Sequence, residues 1–254
     1  MSSALGSPAF PTTPADSVVP EVFRVYSIFQ ALSALAQERF AGELGGKLLL
    51  YGEMDADGAA MALAGNIAGA ATLGIDSSVE RLKQGIRHGF CDFMVNNLDE
   101  SLRILKNEIR KKQPVSVCLE GDFASILREI IQRGVQPDLL GFRGERAEAA
   151  ALIQRGALLV NDLASSDDSL LDVAWEAQSA AALWLPKADA LAAEAIPAVD
   201  SRRRWLKFAP RYLGRSLAGR RYLRMSVAEL QTFKALVEAA TTSGVMGSQI
   251  TIRS

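Results

Sequence analysis

From residue 21 onward the apolar positions of the chain switch repeatedly between a helical period and short continuous runs. The stretch "EVFRVYSIFQALSALAQERF" (21–40) sets Val22, Val25, Ile28, Phe29, Leu32 and Leu35 at helical intervals, predicting an amphipathic helix ahead of the first strand. "KLLLY" follows as a short buried strand, and "GAAMALAGNIAGAA" as a helix whose glycines and alanines permit close backbone approach. Strand propensity returns at "ATLGID". "SSVERLKQGIRHG" opens on Ser77 or Ser78 as the N-cap, with Glu80 placed to complete a capping box, so a helix starts directly after Asp76. "NLDESLRILKNEIRKK" turns Leu98, Leu102, Leu105 and Ile109 to one face and gathers its cations at the C-terminal end, where they complement the helix dipole.

The alternation continues. "PVSVCLEG" reads as a strand, "DFASILREIIQRG" as a helix, "PDLLGF" as a strand, "ERAEAAALIQRG" as a helix and "ALLVND" as a strand. Strands separated by single helices imply right-handed βαβ units, hence an α/β fold with a parallel sheet covered by helices on both faces. After Asp162 the pattern changes: an Ala-rich helical stretch, a basic segment, the helix "SVAELQTFKALVEAA", and a small polar tail that forms an edge strand or stays loose. The expected organisation is an N-terminal arm (1–20), an α/β domain (21–162) and a mainly helical, basic C-terminal segment (163–254) packing on that same domain.

Composition adds boundaries. With 49% hydrophobic and 22% charged residues the chain reads as an ordinary globular protein. The first twenty residues, rich in Pro, Ser and Ala, lack the basic start and apolar core of a secretory signal and read as a disordered arm; the expected location is the cytoplasm, with no membrane partner. Cys91 and Cys118 lie in separate apolar segments without a CxxC pairing and read as two buried thiols. The single histidine, His88, has no Cys or His neighbour in sequence, so it reads as structural or surface and no metal site is expected.

Charge is distributed unevenly. The last 54 residues carry 11 Lys or Arg against 2 Asp or Glu, which is +9, whereas the whole chain has a net charge of −1 and the rest is therefore −10. The core of the basic segment holds Arg202, Arg203, Arg204, Lys207, Arg211, Arg215, Arg220, Arg221 and Arg224, interleaved with Trp205, Phe208, Tyr212 and Tyr222. Clustered cations with aromatics suit nucleic acid. The preferred reading is that the aromatics face a core while the cations meet acidic groups of the chain itself or of a partner, with an anionic small ligand next and nucleic acid last.

Several stretches in order carry a resemblance: "VYSIFQALSALAQERFAGELGGKLLL", "NIAGAATLGID", "RLKQGIRHGFCD", "NLDESLRIL", "PVSVCLEGDFASILREIIQRGVQPDLL" and "IQRGALLVND". Over about 22–162 the chain resembles the nucleotide-binding part of urocanase, the urocanate hydratase family, and "FAPRYL" with "RYLRM" is a weaker echo of a later family segment. The resemblance implies a Rossmann-type domain, in which the family holds NAD as an electrophile for adding water to urocanate.

Carried over residue by residue, the resemblance assigns Gly58 to the last glycine of the phosphate turn, Asp76 to the acidic residue that meets a ribose, and Gly121 with Asp122 to the turn after a later strand. Against this, "YGEMDADG" places Glu53, Asp55 and Asp57 where the family carries glycine or apolar residues. Carboxylates repel a pyrophosphate, and side chains obstruct backbone approach to it. The family's Thr, Asp, Gln, Ser and His constellation after "PDLL" is replaced by "GFRGERAEAA", its asparagine-bearing loop by "LASSDD", and its later cysteine segments have no counterpart. A remodelled cleft lined by Glu53, Asp55, Asp57 and Arg143 is the ligand site this suggests; a hard-cation site is weaker, because the spacing of a 12-residue calcium loop is absent. The functional expectation is a urocanase-like protein that has lost hydratase activity and binds a small ligand or a protein partner, with a homodimer among the options. No catalytic residues are assigned and no cofactor is expected. The alternatives are an active urocanase-related lyase or other NAD enzyme, in which NAD is bound, and a nucleic-acid binder.

Overall fold

The computed structural model of the protein describes residues 21–141, 147–160, 169–213, 219–247 and 249–254. These residues divide into two compact units, one within 21–160 and one within 169–254.

In the first unit α1 (Val22–Arg39) precedes β1 (Leu48–Gly52), α2 (Ala56–Ala68), β2 (Ala71–Asp76), α3 (Val79–His88) and β3 (Phe93–Val95). There follow α4 (Leu98–Arg110), β4 (Ser116–Glu120), α5 (Phe123–Gln132), β5 (Leu139–Gly141), α6 (Ala147–Gln154) and β6 (Leu158–Leu159). The six strands form one parallel sheet in the order β3-β4-β2-β1-β5-β6. It is the Rossmann-like layering that the βαβ alternation predicts. Successive connections run outward from β1 through β2, then cross back to β5 on its other side, so the direction of travel reverses between β1 and β5. In open parallel sheets ligands bind at such a reversal, outside the carboxyl ends of the strands.

The two faces of the sheet differ in chemistry. One carries Leu48, Leu50, Leu73, Ile75, Val117 and Leu119 into a continuous apolar core with Leu102 and Leu105 of α4, Leu127 and Ile130 of α5, and Leu152 of α6. The other carries polar groups: the Thr72 hydroxyl donates to Ser116 Oγ at 3.0 Å, and the buried Tyr51 hydroxyl lies 3.9 Å from the Met54 sulfur. Tyr51 fits there because Gly74 beside it has no side chain, and a Cβ there would sit 2.5 Å from the Tyr51 ring. Small residues serve α2 in the same way, since a Cβ on Gly65 would lie 2.6 Å from Thr72.

One expected detail shifts. α3 is capped by Ser78, whose hydroxyl accepts from the Arg81 amide, and no capping box forms with Glu80, which instead pairs with Arg87 at 3.2 Å. The cause is Asp76. It accepts from the Ser78 amide and draws the Arg81 side chain back to the strand end, which sets the helix start one residue later than a Ser77–Glu80 box requires.

The second unit contains β7 (Leu171–Ala177), α7 (Ala181–Glu194), α8 (Arg202–Leu213), β8 (Arg220–Met225), α9 (Val227–Thr242) and β9 (Ile250–Arg253). Its strands form an antiparallel sheet in the order β8-β7-β9, against which the three helices pack. Trp175, Trp205, Leu223 and Phe233 are fully or nearly fully buried, with Trp175 set edge-on to Phe233 at 5.1 Å. Helix outweighs strand, as expected, and the tail supplies an edge strand. The sheet itself is the addition: "LDVAWEA" and "RRYLRM" are strands within a region that reads as helical. A capping box does form here, where Ser226 and Glu229 exchange side-chain and backbone hydrogen bonds at the start of α9.

Candidate functional site

The carboxyl ends of β1, β2 and β4 bring Gly58, Asp76, Gly121 and Asp122 into one neighbourhood. The turn from β1 to α2 is built around Gly58. A Cβ at that position would lie 1.8 Å from the carbonyl oxygen of Glu53, so only glycine lets the helix start pass under the turn. Glu53 itself adopts a left-handed conformation, φ 62°, a region that glycine occupies without cost and other residues enter at about 1–2 kcal/mol. Its amide is fixed by a 2.8 Å hydrogen bond to the Ile75 carbonyl.

Each of the three acids then has a distinct position. Glu53 is exposed at the apex of the turn. Asp55 is the N-cap of α2, and its Oδ1 accepts from the Gly58 amide at 2.9 Å. Asp57 lies in the first turn of α2 and pairs with Arg24 of α1 at 2.9 Å, a half-buried contact of modest energy. A carboxylate therefore occupies the helix N-terminus, where exposed amides and the helix dipole would otherwise favour an external anion.

Asp76 is buried and fully engaged. Oδ2 accepts from the Met54 amide at 2.5 Å and from Arg81 Nε at 2.8 Å, while Oδ1 accepts from the Ser78 amide at 2.7 Å and from the Arg81 terminal nitrogen at 2.8 Å. Burial alone would raise its pKa, but the Arg81 guanidinium and the two backbone amides outweigh that and hold it below the ordinary carboxylate value. Arg81 is correspondingly raised by its bond to Asp76, and feels the charges of Glu53 and Asp55 as well. The rim is thus a network of three carboxylates around one half-exposed arginine. The Asp76–Arg81 pair spans the strand–helix boundary, and the only sequence signal for it was an acid at a strand end followed five residues later by an arginine.

Gly121 donates its amide to the Asp76 carbonyl at 3.0 Å, and Asp122 caps α5 by accepting from the Ser125 amide at 2.9 Å. Both support the turn geometry directly. β5 ends at Gly141, the register partner of Tyr51, so the chain leaves the sheet beside the β1–α2 turn. Arg143 and the rest of "FRGER" lie outside the described residues, as does "LASSDD".

This is the setting in which the comparison with known families is read. Residues 25–143 match the family model of the urocanase Rossmann-like domain. The resemblance is to that domain over that segment. It begins in α1 of the urocanase-like unit and runs through β5, so every feature of the rim described above falls inside it.

The basic segment has a different geometry from a free cationic patch. Arg202 is buried and makes a fork of bonds to Asp200 at 2.6 and 2.8 Å and to Glu229 at 2.7 and 2.9 Å, with a further one to the Arg224 carbonyl. Its pKa is raised further by these two acids, which more than offset burial. Arg203 binds the carbonyls of Pro197 and Ile196, Arg220 pairs with Glu176, Arg221 with the buried Asp189, and Arg224 with Asp172. Arg204 and Lys207 lie over the Phe208 ring and Arg211 over Tyr212. Trp205 and Tyr222 are buried, the indole donating to the Tyr222 carbonyl at 2.7 Å. Arg215 lies outside the described residues.

Among the described residues no group of three or more His, Cys, Asp or Glu is arranged to hold a metal ion, and no helix is long and apolar enough to cross a membrane. His88 is exposed and stacked on Phe90 at 5.6 Å, and Cys91 and Cys118 are both buried free thiols.

Proposed function

We propose that this is a urocanase-like Rossmann protein without hydratase activity, which acts by binding a small ligand or a protein partner. The observation that carries the reading is the Asp55 carboxylate seated on the α2 N-terminus, the place where a dinucleotide-binding turn receives pyrophosphate. A carboxylate 4 Å from a phosphate repels it by about 1 kcal/mol in water and about 4 kcal/mol at an effective dielectric of 20. The helix dipole favours an anion by only about 0.3–1 kcal/mol, so repulsion wins. Asp76 adds a second obstacle, because the oxygens that would meet a ribose already accept four hydrogen bonds. The residues present therefore do not fit NAD, the cofactor the family implies, and no reaction step is assigned to it.

A second reading, an active NAD-dependent lyase or related enzyme, is favoured by Gly58, which preserves the tight first turn of a dinucleotide fold. Calorimetric titration with NAD+ and NADH, paired with an assay of urocanate consumption in their presence, separates the two. The expected result is neither binding in the micromolar range nor turnover; both together would establish the second reading. Nucleic acid is the last choice, since at least five cations of the basic segment are engaged by acids or carbonyls of their own unit. The engagement supports a structural role for the segment, and a homodimer through another surface stays compatible with it.

A further inference from the structure

The antiparallel sheet of the second unit ends on two edges that differ. Between β7 and β9 the Gln178 amide donates to the Gln249 carbonyl at 3.2 Å, and the register continues through Ala177 with Ile250, Glu176 with Thr251, Trp175 with Ile252 and Ala174 with Arg253. Hydrogen-bonded and non-hydrogen-bonded pairs alternate in such a ladder, so Thr251 and Arg253 turn their amides and carbonyls to β7 while Ile250 and Ile252 turn theirs outward. Carried through β7, the same alternation points the backbone groups of Tyr222 and Arg224 outward from β8. There the edge is closed: the Trp205 indole donates to the Tyr222 carbonyl at 2.7 Å and Arg202 to the Arg224 carbonyl at 2.8 Å, both from α8. On the other side β9 is the last strand among the described residues, and no helix side chain caps its outward carbonyls. An open edge of β-branched residues is a template for another strand.

Beside this edge α9 and β9 form a groove of about 330 Å³, lined by Ile250 and Ile252 from the strand and by Lys234, Val237, Glu238 and Thr241 from the helix. The strand side is apolar. The helix side offers one cation and one anion four positions apart, both exposed.

We propose that β9 pairs antiparallel with β9 of a second copy of this chain, joining two three-stranded sheets into one about a two-fold axis through Thr251. In that register Ile250 lies opposite Ile252 of the second copy, and Thr251 lies opposite its own equivalent. The outward amides and carbonyls of Ile250 and Ile252 then bond to each other across the axis, which satisfies the open edge in both copies. Opposite residues of an antiparallel pair share a face, so isoleucine packs on isoleucine on the side that carries α9, and threonine meets threonine on the other. The axis also runs α9 antiparallel to its copy, which sets Lys234 of each chain towards Glu238 of the other. One patch that matches itself in hydrogen bonding, apolar pairing and charge is what a two-fold interface requires, and this favours a second copy over an unrelated strand. Strands of four residues make a small contact, so the dimer forms reversibly in the micromolar range.

The test is sedimentation equilibrium of the full chain at low ionic strength, from low to high micromolar concentration. The mass should rise from that of one chain to that of two. Ile252→Pro deletes an outward amide and leaves the ladder to β7 in place, as an edge strand tolerates proline with that side facing out. It should weaken association at least about 10-fold while the circular dichroism melt stays cooperative. Glu238→Lys, on the exposed face of α9, sets lysine against lysine and should weaken association by roughly 10-fold, and adding Lys234→Glu should restore it. None of these readouts depends on a ligand of the first unit. A chain that stays monomeric throughout, a dimer indifferent to Ile252→Pro, or a charge exchange that fails to restore association would each overturn the inference.

Discussion

Converting the first turn to glycine is the sharpest test of the proposal that its acids disfavour a dinucleotide. In the double variant Glu53→Gly, Asp55→Gly the backbone conformation is already suitable: Glu53 sits at φ 62°, so glycine relieves about 1 kcal/mol of strain there. Asp55 is an N-cap, and replacing a capping acid by glycine costs only a few tenths of a kcal/mol. Added chain entropy of about 0.5–1 kcal/mol per glycine leaves the variant within about 1 kcal/mol of the parent, so a change in binding does not reflect unfolding. On the other side, removing two carboxylates from the neighbourhood of a phosphate relieves about 2 kcal/mol even at the dielectric of water, or roughly 30-fold in affinity, and more where the site is dry. The assay is isothermal titration at low ionic strength with NAD+ and, separately, with inorganic pyrophosphate. The variant should bind both at least that much more tightly than the parent. Equal affinities for parent and variant would refute the claim that the acids are what closes the site.

Other consequences are open to measurement. Gly58→Ala drives a methyl into the Glu53 carbonyl and should cost about 3 kcal/mol, lowering Tm by roughly 6–12 °C in a circular dichroism melt; an unchanged Tm would contradict the 1.8 Å approach. The lowered pKa of Asp76 means that its stabilisation is fully present above the unfolded carboxylate value of about 4 and is lost as pH falls through the folded value. Urea midpoints followed down through the acid range should therefore drop less steeply in Asp76→Asn than in the parent, at the price of lower stability at neutral pH. Arg202→Met leaves Asp200 and Glu229 without their shared cation and should destabilise by about 3 kcal/mol with little salt dependence, whereas Lys207→Ala on the exposed side of α8 should change stability by less than about 0.5 kcal/mol.

The parallel sheet was legible because β1, β2, β4 and β5 are short apolar runs bounded by caps and turn residues, and the helices between them have their own period. What escaped has physical causes. β3 presents an exposed Phe93 and a half-buried Met94 at the sheet edge, leaving no burial alternation to detect. β7 and β8 escaped because their charges pair across strands: Asp172 with Arg224, and Glu176 with Arg220 and Arg253. In a one-dimensional reading such charges look like a solvated helix surface. At the site, the presence of three acids in the turn was plain from sequence, but their separate tasks were not. Only coordinates reveal that Glu53 is the residue with left-handed backbone, that Asp55 closes the helix end, and that Arg81 returns to lock Asp76.

The flat lie of Tyr51 across Gly74 has a consequence for how this sheet can change over time. With 2.5 Å between the Tyr51 ring and the place a methyl would occupy, alanine at position 74 must evict the ring, and a smaller residue at position 51 would leave an unfilled space above β2. The two positions are therefore bound as a couple: a drift at one is viable only with a matching drift at the other. Because the same ring carries the hydroxyl that lies 3.9 Å from the Met54 sulfur, a change of bulk on β2 would also be felt in the turn that leads from β1 into α2.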